Sequence, residues 1–349
     1  MWRVSTKPFI AARVEEFFDR RLEAVFRALG WREQVIAYRG YGSSGFVRVL
    51  ARVVLVPQWS RSQLGRATKE FVKRRGWRSF LTTPCVRAKV TLSLGDRSVT
   101  VTADRGGFLD HRITRHGFDT GWHTVTAQTE HSRPVECAVL IVDDEARFGL
   151  ISDIDDTILT TWLPRPMIAA WNSFVRDESN RQSIPGMARF YHRFLDAHPG
   201  AAMVYLSTGA WNTYDFLDRF LQQHDYPAGP LLLTDWGPTN TGWFRSGMQH
   251  KRTSLLRLAT DFPHVQWLLV GDDGQHDPEI YAEFVHTHPQ HVAAVAIRQL
   301  SPTEQVLAHG TNIPLEEPDE MSADDLWIEA PDGRGLAAQL GALLDGPTA

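Results

Sequence analysis

Residues 148–161 read FGLISDIDDTILTT, and this stretch decides the fold of the larger part of the chain. Its apolar first half predicts a buried strand of a parallel sheet that is covered on both faces. Asp153, Asp155 and Asp156 follow directly. Carboxylates that lie so close repel one another and resist joint ionisation unless a cation or a shared proton lies among them. The stretch therefore indicates a metal site or a shared proton at the end of a strand.

The sequence after this stretch alternates between strand and helix patterns. The apolar segments AAMVYLS, QWLLVG and HVAAVAI predict strands, and the segments WNTYDFLDRFLQQH, KRTSLLRLATDF and DPEIYAEFVHTH predict helices between or after them. This alternation is typical of an α/β domain built around a parallel sheet. We place its start in the DDEAR segment near residues 143–147 and expect residues 146–320 to form it.

The first part of the chain has a different pattern of apolar residues. The β-branched segments VRVLARVVLV, VRAKVTLSL, SVTVTA and WHTVTAQT are separated by Gly, Asp and Pro, which predicts a β-sandwich of transthyretin-like or immunoglobulin-like type over residues 35–145. Before it, apolar positions at helical spacing end at Gly30 and predict an N-terminal amphipathic helix within residues 1–34. We expect residues 321–349 to be a separate acidic segment that closes with a helix.

The composition of the chain predicts the cellular compartment of the protein. The chain has 349 residues, 43% of them hydrophobic, which is enough to build a core for each of two domains. No run approaches eighteen apolar residues, and the first residues carry acids and arginines, so we expect a cytoplasmic protein. Cys85 and Cys137 lack metal-ligand spacing and are too few for a disulfide framework, which favours a reducing compartment.

Charge is distributed unevenly along the chain. Residues 1–80 contain 17 Lys and Arg but six Asp and Glu, a formal charge of +11, and the remaining residues carry −15. A basic segment can contact nucleic acid, an anionic membrane or the acidic part of its own chain. The sequence leaves these alternatives open, although no nucleic-acid motif accompanies the basic segment and we expect no nucleic-acid partner.

GYGSSG at residues 40–45 matches the glycine pattern of dinucleotide-binding sites. That pattern requires a following helix whose N-terminus faces the pyrophosphate, whereas the residues after Gly45 alternate like a strand. We therefore expect the glycines to allow tight turns before a strand.

Four places in the predicted α/β domain carry polar residues at a strand end or a helix start. They are the D-x-D-x-T pattern with Asp153, Asp155 and Thr157, the VYLST strand end with Ser207 and Thr208, Lys251 in QHKRTSLL, and Asp272 and Asp277 in VGDDGQHD. Ligands bind outside the carboxyl ends of the strands in such sheets, and hydroxyls beside helix N-termini can hold phosphate. Each signal alone also fits a helix cap or a solvated lysine. Together they predict one site and leave open whether Ser207 or Thr208 would hold a phosphate.

These motifs, DIDDT, YLST, Lys251 and GDDGQHD, resemble in order those of the haloacid dehalogenase superfamily. SDIDDTI, LSTGAWNTYDFLDRF, GPLLLTDWG, HK and GDDGQHDPEIY are most similar to the catalytic domain of actin-patch-type phosphatidate phosphatases and their bacterial relatives. RGYG at 39–42 resembles the bacterial form, which has an N-terminal β-domain. The resemblance implies a Rossmann-like domain with a minimal cap, since about thirty residues separate Thr157 from the next helix pattern. Asp273 departs from the family pattern, where a small hydroxyl residue is expected.

The resemblance also implies a Mg²⁺-dependent phosphatase that acts through an aspartyl-phosphate. Asp153 would be the nucleophile and Asp155 the general acid and base, while Ser207 and Lys251 would bind phosphate oxygens. The metal ligands would be Asp153, Asp272 and the backbone carbonyl of Asp155, and the supporting residues would be Thr157, Thr208 and Asp277. Asp277 would position Lys251 or a metal-bound water.

Phosphatidate is the substrate that the resemblance implies, with diacylglycerol and phosphate as products. One alternative is a phosphatase of a soluble phosphomonoester or a phosphoprotein, and another is a non-catalytic scaffold that binds a lipid or a protein partner. KEFVKRRGWRSF at residues 69–80 has the composition of an interfacial segment, so peripheral contact with the inner face of an anionic membrane is a further expectation. A surface loop of the β-domain would explain the same residues.

Overall fold

A computed structural model describes residues 21, 23–57, 83–160, 182–234, 247–309 and 327–344. They divide into two compact units, of which the first ends at Ile141 and the second begins at Val142. The end of the expected N-terminal helix is described: residues 23–28 are helical, and Gly30 ends the helix with a φ of 81°. The expected cap segment and the KEFVKRRGWRSF segment lie outside the described residues.

The first unit contains one eight-stranded sheet. Its strands are β1 (Arg32–Ser43), β2 (Phe46–Val56), β3 (Thr83–Pro84), β4 (Lys89–Leu94), β5 (Arg97–Thr102), β6 (Phe108–Thr114), β7 (Gly121–Gln128) and β8 (Val135–Ile141). Hydrogen bonds join them in the order β3-β2-β1-β8-β7-β4-β5, with β6 also paired to β2. All of these pairs are antiparallel except β1 with β8.

This single sheet replaces the two separate sheets that a sandwich would have. Because the β1–β8 pair joins what would be two layers, the sheet curls and buries one face of its strands in a common core. The core includes Val47, Val49, Ala51, Val53, Leu55, Val90, Leu92, Val125, Ala127, Cys137, Val139 and Ile141.

Gly40 and Gly42 of GYGSSG lie near the end of β1, and Gly45 lies in the turn before β2, so a strand follows them where a dinucleotide site would require a helix. A Cβ at Gly40 or Gly42 would lie 2.1 Å from the backbone oxygen of Arg48 or Phe46. Glycine is therefore needed here for close approach of two strands, which explains the motif without a nucleotide.

The second unit contains a parallel six-stranded sheet. Its strands are β9 (Phe148–Ser152), β10 (Ala202–Ala210), β11 (Leu231–Thr234), β12 (Gln266–Asp272), β13 (Val292–Arg298) and β14 (Trp327–Ala330), in the order β11-β10-β9-β12-β13-β14. All neighbours are parallel. Counted within this sheet the order is 3-2-1-4-5-6, so the connections leave β9 in opposite directions along the sheet. The α/β class predicted from the sequence is confirmed.

The helices of this unit are α1 (Met187–Ala197), α2 (Tyr214–Gln223), α3 (Gly247–Asp261), α4 (Asp277–Thr287), α5 (Pro302–His309), α6 (Gly333–Gln339) and α7 (Gly341–Leu344). Residues 327–344, which we expected in a separate acidic segment, contribute β14 to the edge of the sheet beside β13. A four-residue edge strand carries too little periodicity to be recognised in an acidic surrounding. No helix in the described ranges is long and apolar enough to cross a membrane.

Candidate active site

The carboxyl ends of three adjacent strands bring the predicted residues together. Asp153 directly follows β9, Ser207 lies near the end of β10, and Asp272 is the last residue of β12. Since β9 lies between β10 and β12 and all three strands are parallel, these ends meet at one edge of the sheet. This is the edge at which open α/β sheets bind ligands.

Lys251 connects two of the acidic residues. It lies in α3, and its Nζ is 2.7 Å from Oδ1 of Asp153 and 2.5 Å from Oδ1 of Asp277. The side chain is 2% exposed, as is that of Asp153. Burial alone would lower the pKa of Lys251, but attraction to Asp153 and Asp277 outweighs it and raises that pKa, so the ammonium stays charged. Asp277 is therefore an ion-pair partner of Lys251, and its side chain forms no helix cap.

Three buried carboxylates form a candidate metal centre. Asp153, Asp272 and Asp277 each offer an oxygen atom, and these atoms lie within 4.8 Å of one another. Burial first, and then repulsion from the neighbouring acids, raises the pKa of both Asp153 and Asp272 well above its ordinary range. Oδ2 of Asp277 is buried and has no hydrogen-bond partner among the described residues. When ionised, the three carboxylates carry more negative charge than Lys251 balances. Oxygen donors of this kind suit a hard divalent cation.

This grouping differs from the expected set of ligands in two respects. The cluster includes Asp277, which we expected only in a supporting role, and the backbone oxygen of Asp155, which we expected as a ligand, accepts a hydrogen bond from Gln275 Nε2 at 3.3 Å. The Asp155 side chain accepts a hydrogen bond from Ser207 Oγ at 3.2 Å. Thr157 Oγ1 lies 3.4 Å from carboxylate oxygens of both Asp153 and Asp272. The hydroxyl of Thr157 thus lies between two acids that would otherwise contact each other.

The two hydroxyl candidates at the end of β10 have different surroundings. Ser207 is fully buried, and its Oγ accepts a hydrogen bond from the Gly209 amide as well as donating to Asp155. The side chain of Thr208 lies against the start of α3, because a Cβ at Gly247 would come within 2.6 Å of Thr208 Cγ2. The geometry favours Ser207 as the residue that faces the reaction centre.

The carboxylate of Asp273, the departure from the family pattern, contacts the loop after β13. Its Oδ1 accepts from the Leu300 amide at 2.8 Å, and its own amide donates to the Arg298 carbonyl. Burial raises the pKa of Asp273 to about 6. The extra carboxylate therefore ties the end of β12 to the loop after β13.

Two residues that sequence reasoning missed hold the turn after β9. Gln275 Nε2 donates to the backbone oxygen of Asp155 at 3.3 Å, and Arg298 Nη1 donates to that of Asp156 at 2.6 Å. An arginine at the end of the apolar HVAAVAI run, at the ligand-binding edge of the sheet, was a signal that could have identified Arg298.

Residues 148–299 are similar to a known family. They match the family model described as the catalytic domain of the phosphatidate phosphatase APP1. The phosphatidate phosphatase APP1 of Saccharomyces cerevisiae is 30% identical over 152 residues, which are 43% of this chain and 25% of that protein. An uncharacterized protein of Schizosaccharomyces pombe is 23% identical over 158 residues, 45% of this chain and 26% of its own length. Residues 148–299 are therefore similar to the family that the sequence motifs resemble.

The match has a limited extent. This chain spans about a quarter of the length of these two relatives, and the matched residues begin at β9, so the resemblance of the first unit to a bacterial form stays a prediction. Among solved structures, a carbohydrate acetylesterase from Xanthomonas citri aligns with 9% identity and a TM-score of 0.28, covering 77% of this chain and 68% of that one. A glucanotransferase from Paenibacillus sp. aligns with 10% identity and a TM-score of 0.24, over 77% and 38%. Alignments at this level carry no information about function.

Proposed function

From the match of residues 148–299 to the phosphatidate phosphatase catalytic domain, we propose that the chain is a Mg²⁺-dependent phosphatase that acts through an aspartyl-phosphate on Asp153. The observation that carries this proposal is the buried arrangement of Lys251 between Asp153 and Asp277, with Asp272 in the same cluster. The 3-2-1-4-5-6 strand order, with the nucleophile candidate directly after the first strand, supports a Rossmann-like domain of the haloacid dehalogenase type.

Cleavage of a phosphate ester requires an in-line nucleophile, neutralisation of the phosphoryl oxygens and a proton for the leaving oxygen. A carboxylate oxygen of Asp153 attacks phosphorus while the bond from phosphorus to the ester oxygen breaks. Asp155 gives its proton to that oxygen, so the alcohol leaves neutral. Water then attacks the phosphorus of the aspartyl-phosphate, Asp155 takes the proton of that water, and inorganic phosphate leaves with Asp153 restored.

The ionised state of Asp153 depends on its partners. Burial raises the pKa of this carboxyl group and so opposes its ionisation. The positive charge of Lys251 is the largest influence that lowers this pKa and favours the ionised form. Asp153, Asp272 and Asp277 would hold Mg²⁺, which supplies further positive charge for the nucleophile and the phosphoryl oxygens. Ser207, whose hydroxyl donates to Asp155 Oδ2, would bind phosphoryl oxygens together with Lys251.

Phosphatidate is the proposed substrate because of the family match. The residues of the site support cleavage of a phosphate ester and do not specify the lipid. Phosphate release should be measured from phosphatidate in mixed micelles and from a soluble aryl phosphate, each with Mg²⁺ and with a chelator. We expect Mg²⁺-dependent release from phosphatidate. Release from the aryl phosphate alone would retain the mechanism and reject the lipid, and absence of release from both would reject the proposed function.

Replacing Ser207 by alanine is expected to lower the turnover number by about 10² to 10³, because the phosphoryl group loses a buried donor that acts in the transition state. Thr208→Ala removes the neighbouring hydroxyl, which lies against α3, and should change the turnover number by no more than about threefold. Steady-state kinetics on the preferred phosphate ester would compare the two variants. A larger loss in Thr208→Ala would show that the assignment of the two hydroxyls is reversed.

A further inference from the structure

The turn after β9 carries Asp155 and has an unfavourable backbone conformation. Asp156 has a φ of 58°, in the left-handed region, which costs free energy for a residue with a side chain. Within the turn, the Asp156 amide donates to the Leu159 carbonyl at 2.9 Å. Such a conformation persists only where neighbouring structure holds it.

Arg298 joins this turn to the end of β13. It is the last residue of β13, is 5% exposed, and donates from Nη1 to the Asp156 carbonyl oxygen at 2.6 Å. Its Nη2 donates to Glu304 Oε1 at 2.6 Å, and its Nε donates to the Pro331 carbonyl oxygen at 3.3 Å. The planar guanidinium can make these contacts together because its donors have a fixed geometry, which a lysine cannot reproduce.

Glu304 holds the guanidinium in place. Its Oε2 accepts hydrogen bonds from the amide of Ser301 at 2.9 Å and from the Ser301 hydroxyl at 2.8 Å, while Oε1 pairs with Arg298. The charge of Arg298 is therefore balanced within the protein. This pairing fits a residue that organises the turn better than one that binds the phosphoryl group.

Gln275 contacts the preceding carbonyl group. Its Nε2 donates to the Asp155 backbone oxygen, so the consecutive carbonyl groups of Asp155 and Asp156 are held from two different loops. We propose that Arg298 is a positioning residue for Asp155: by holding the Asp156 carbonyl, it fixes the turn from which Asp155 reaches the leaving oxygen. This inference rests on the proposed function.

The proposal predicts which substrates are cleaved more slowly when Arg298 is changed. An alkyl phosphate has a poor leaving group that needs a proton from Asp155, whereas a nitrophenolate leaves readily without one. A misplaced general acid therefore slows cleavage of the alkyl ester selectively. A general loss of folded protein would lower both activities by the same factor.

Arg298→Lys keeps a positive charge opposite Glu304 and removes the fixed fork of donors. We expect this variant to lower kcat/KM on glycerol phosphate by about 10²-fold and on nitrophenyl phosphate by less than about threefold, because kcat/KM reports only the steps up to formation of the aspartyl-phosphate, in which Asp155 acts as the acid. Glu304→Gln is the matched control, since it removes the ion pair and leaves an amide oxygen that can accept from Arg298. It should lower the melting temperature while keeping the ratio of the two activities near that of the wild type.

Hydrogen exchange of the peptide that covers residues 152–160 gives a second measurement that does not depend on activity. Faster exchange in Arg298→Lys than in Glu304→Gln is expected, because the turn loses its hydrogen bond from Arg298. Equal losses on both esters with unchanged exchange would overturn the proposal. If the wild type releases phosphate from neither ester and not from phosphatidate, the proposed function fails, and the exchange measurement still decides: faster exchange in Arg298→Lys supports the positioning of the turn, and unchanged exchange overturns it.

Discussion

Asp153→Asn is expected to lower phosphate release by at least about 10⁴-fold with no change in the fold, because the amide cannot attack phosphorus. Asn has nearly the volume of Asp, and Lys251 keeps Asp277 as its second partner, so the buried ammonium still has a counterion. Phosphate release and circular dichroism would be measured on the same preparations. Turnover within tenfold of the wild type would exclude Asp153 as the nucleophile.

Asp156→Asn is the matched control for this experiment. Asn tolerates the left-handed conformation of residue 156, and the carbonyl that Arg298 contacts is unchanged. We expect this variant to keep its activity within about tenfold of the wild type. Mass spectrometry after rapid acid quench of the wild type should detect a phosphoryl group on the peptide that contains Asp153. A phosphoryl group on Asp156 would show that Asp156, and not Asp153, is the nucleophile.

The sequence predicted the parts of the site that depend on short-range patterns. Asp153, Ser207 and Asp272 each follow or end an apolar run, and parallel strands bring such ends to one edge of a sheet, so their proximity could be inferred. Lys251 was found because a cation near a helix start requires a reason. The position of Asp277 in the metal cluster was only partly foreseen, because a helix-capping acid has the same sequence signal.

The features that sequence reasoning missed depend on pairing between distant residues. Arg298 and Asp156 are 142 residues apart, and Gln275 and Asp155 are 120 residues apart, so no local pattern connects them. The parallel pairing of β1 with β8, which makes one curled sheet from the expected two, likewise depends on register that alternation does not specify. The α/β class follows from local patterns and was predicted correctly. The architecture of the first unit depends on long-range strand pairing and was predicted only in part.

Asp272→Asn is expected to have opposite effects on stability and on activity. Burial, followed by repulsion from Asp277 and Asp153, raises the pKa of Asp272. A carboxyl group whose folded pKa is raised stabilises the fold in its protonated form, and this stability is lost as the pH rises through the folded pKa. The metal-free variant should therefore have a higher free energy of unfolding than the metal-free wild type at neutral pH. This difference should shrink as the pH falls, because Asp272 becomes protonated in the wild type.

The same substitution removes a proposed metal ligand, so the turnover number should fall by at least about 10³-fold. Mg²⁺ should raise the melting temperature of the wild type, since a ligand that binds only the folded state stabilises it, and should have little effect on Asp272→Asn. Asp273→Asn is the matched control, because the neighbouring carboxylate faces Leu300 and an Asn oxygen can accept the same hydrogen bond. Thermal melts with Mg²⁺ and with chelator would compare the three proteins. A melting temperature of Asp272→Asn below that of the wild type in chelator would show that Asp272 is a structural carboxylate. A Mg²⁺ response equal to that of Asp273→Asn would show the same. A metal ligand differs from a structural carboxylate because it destabilises the fold without metal and stabilises it with metal bound.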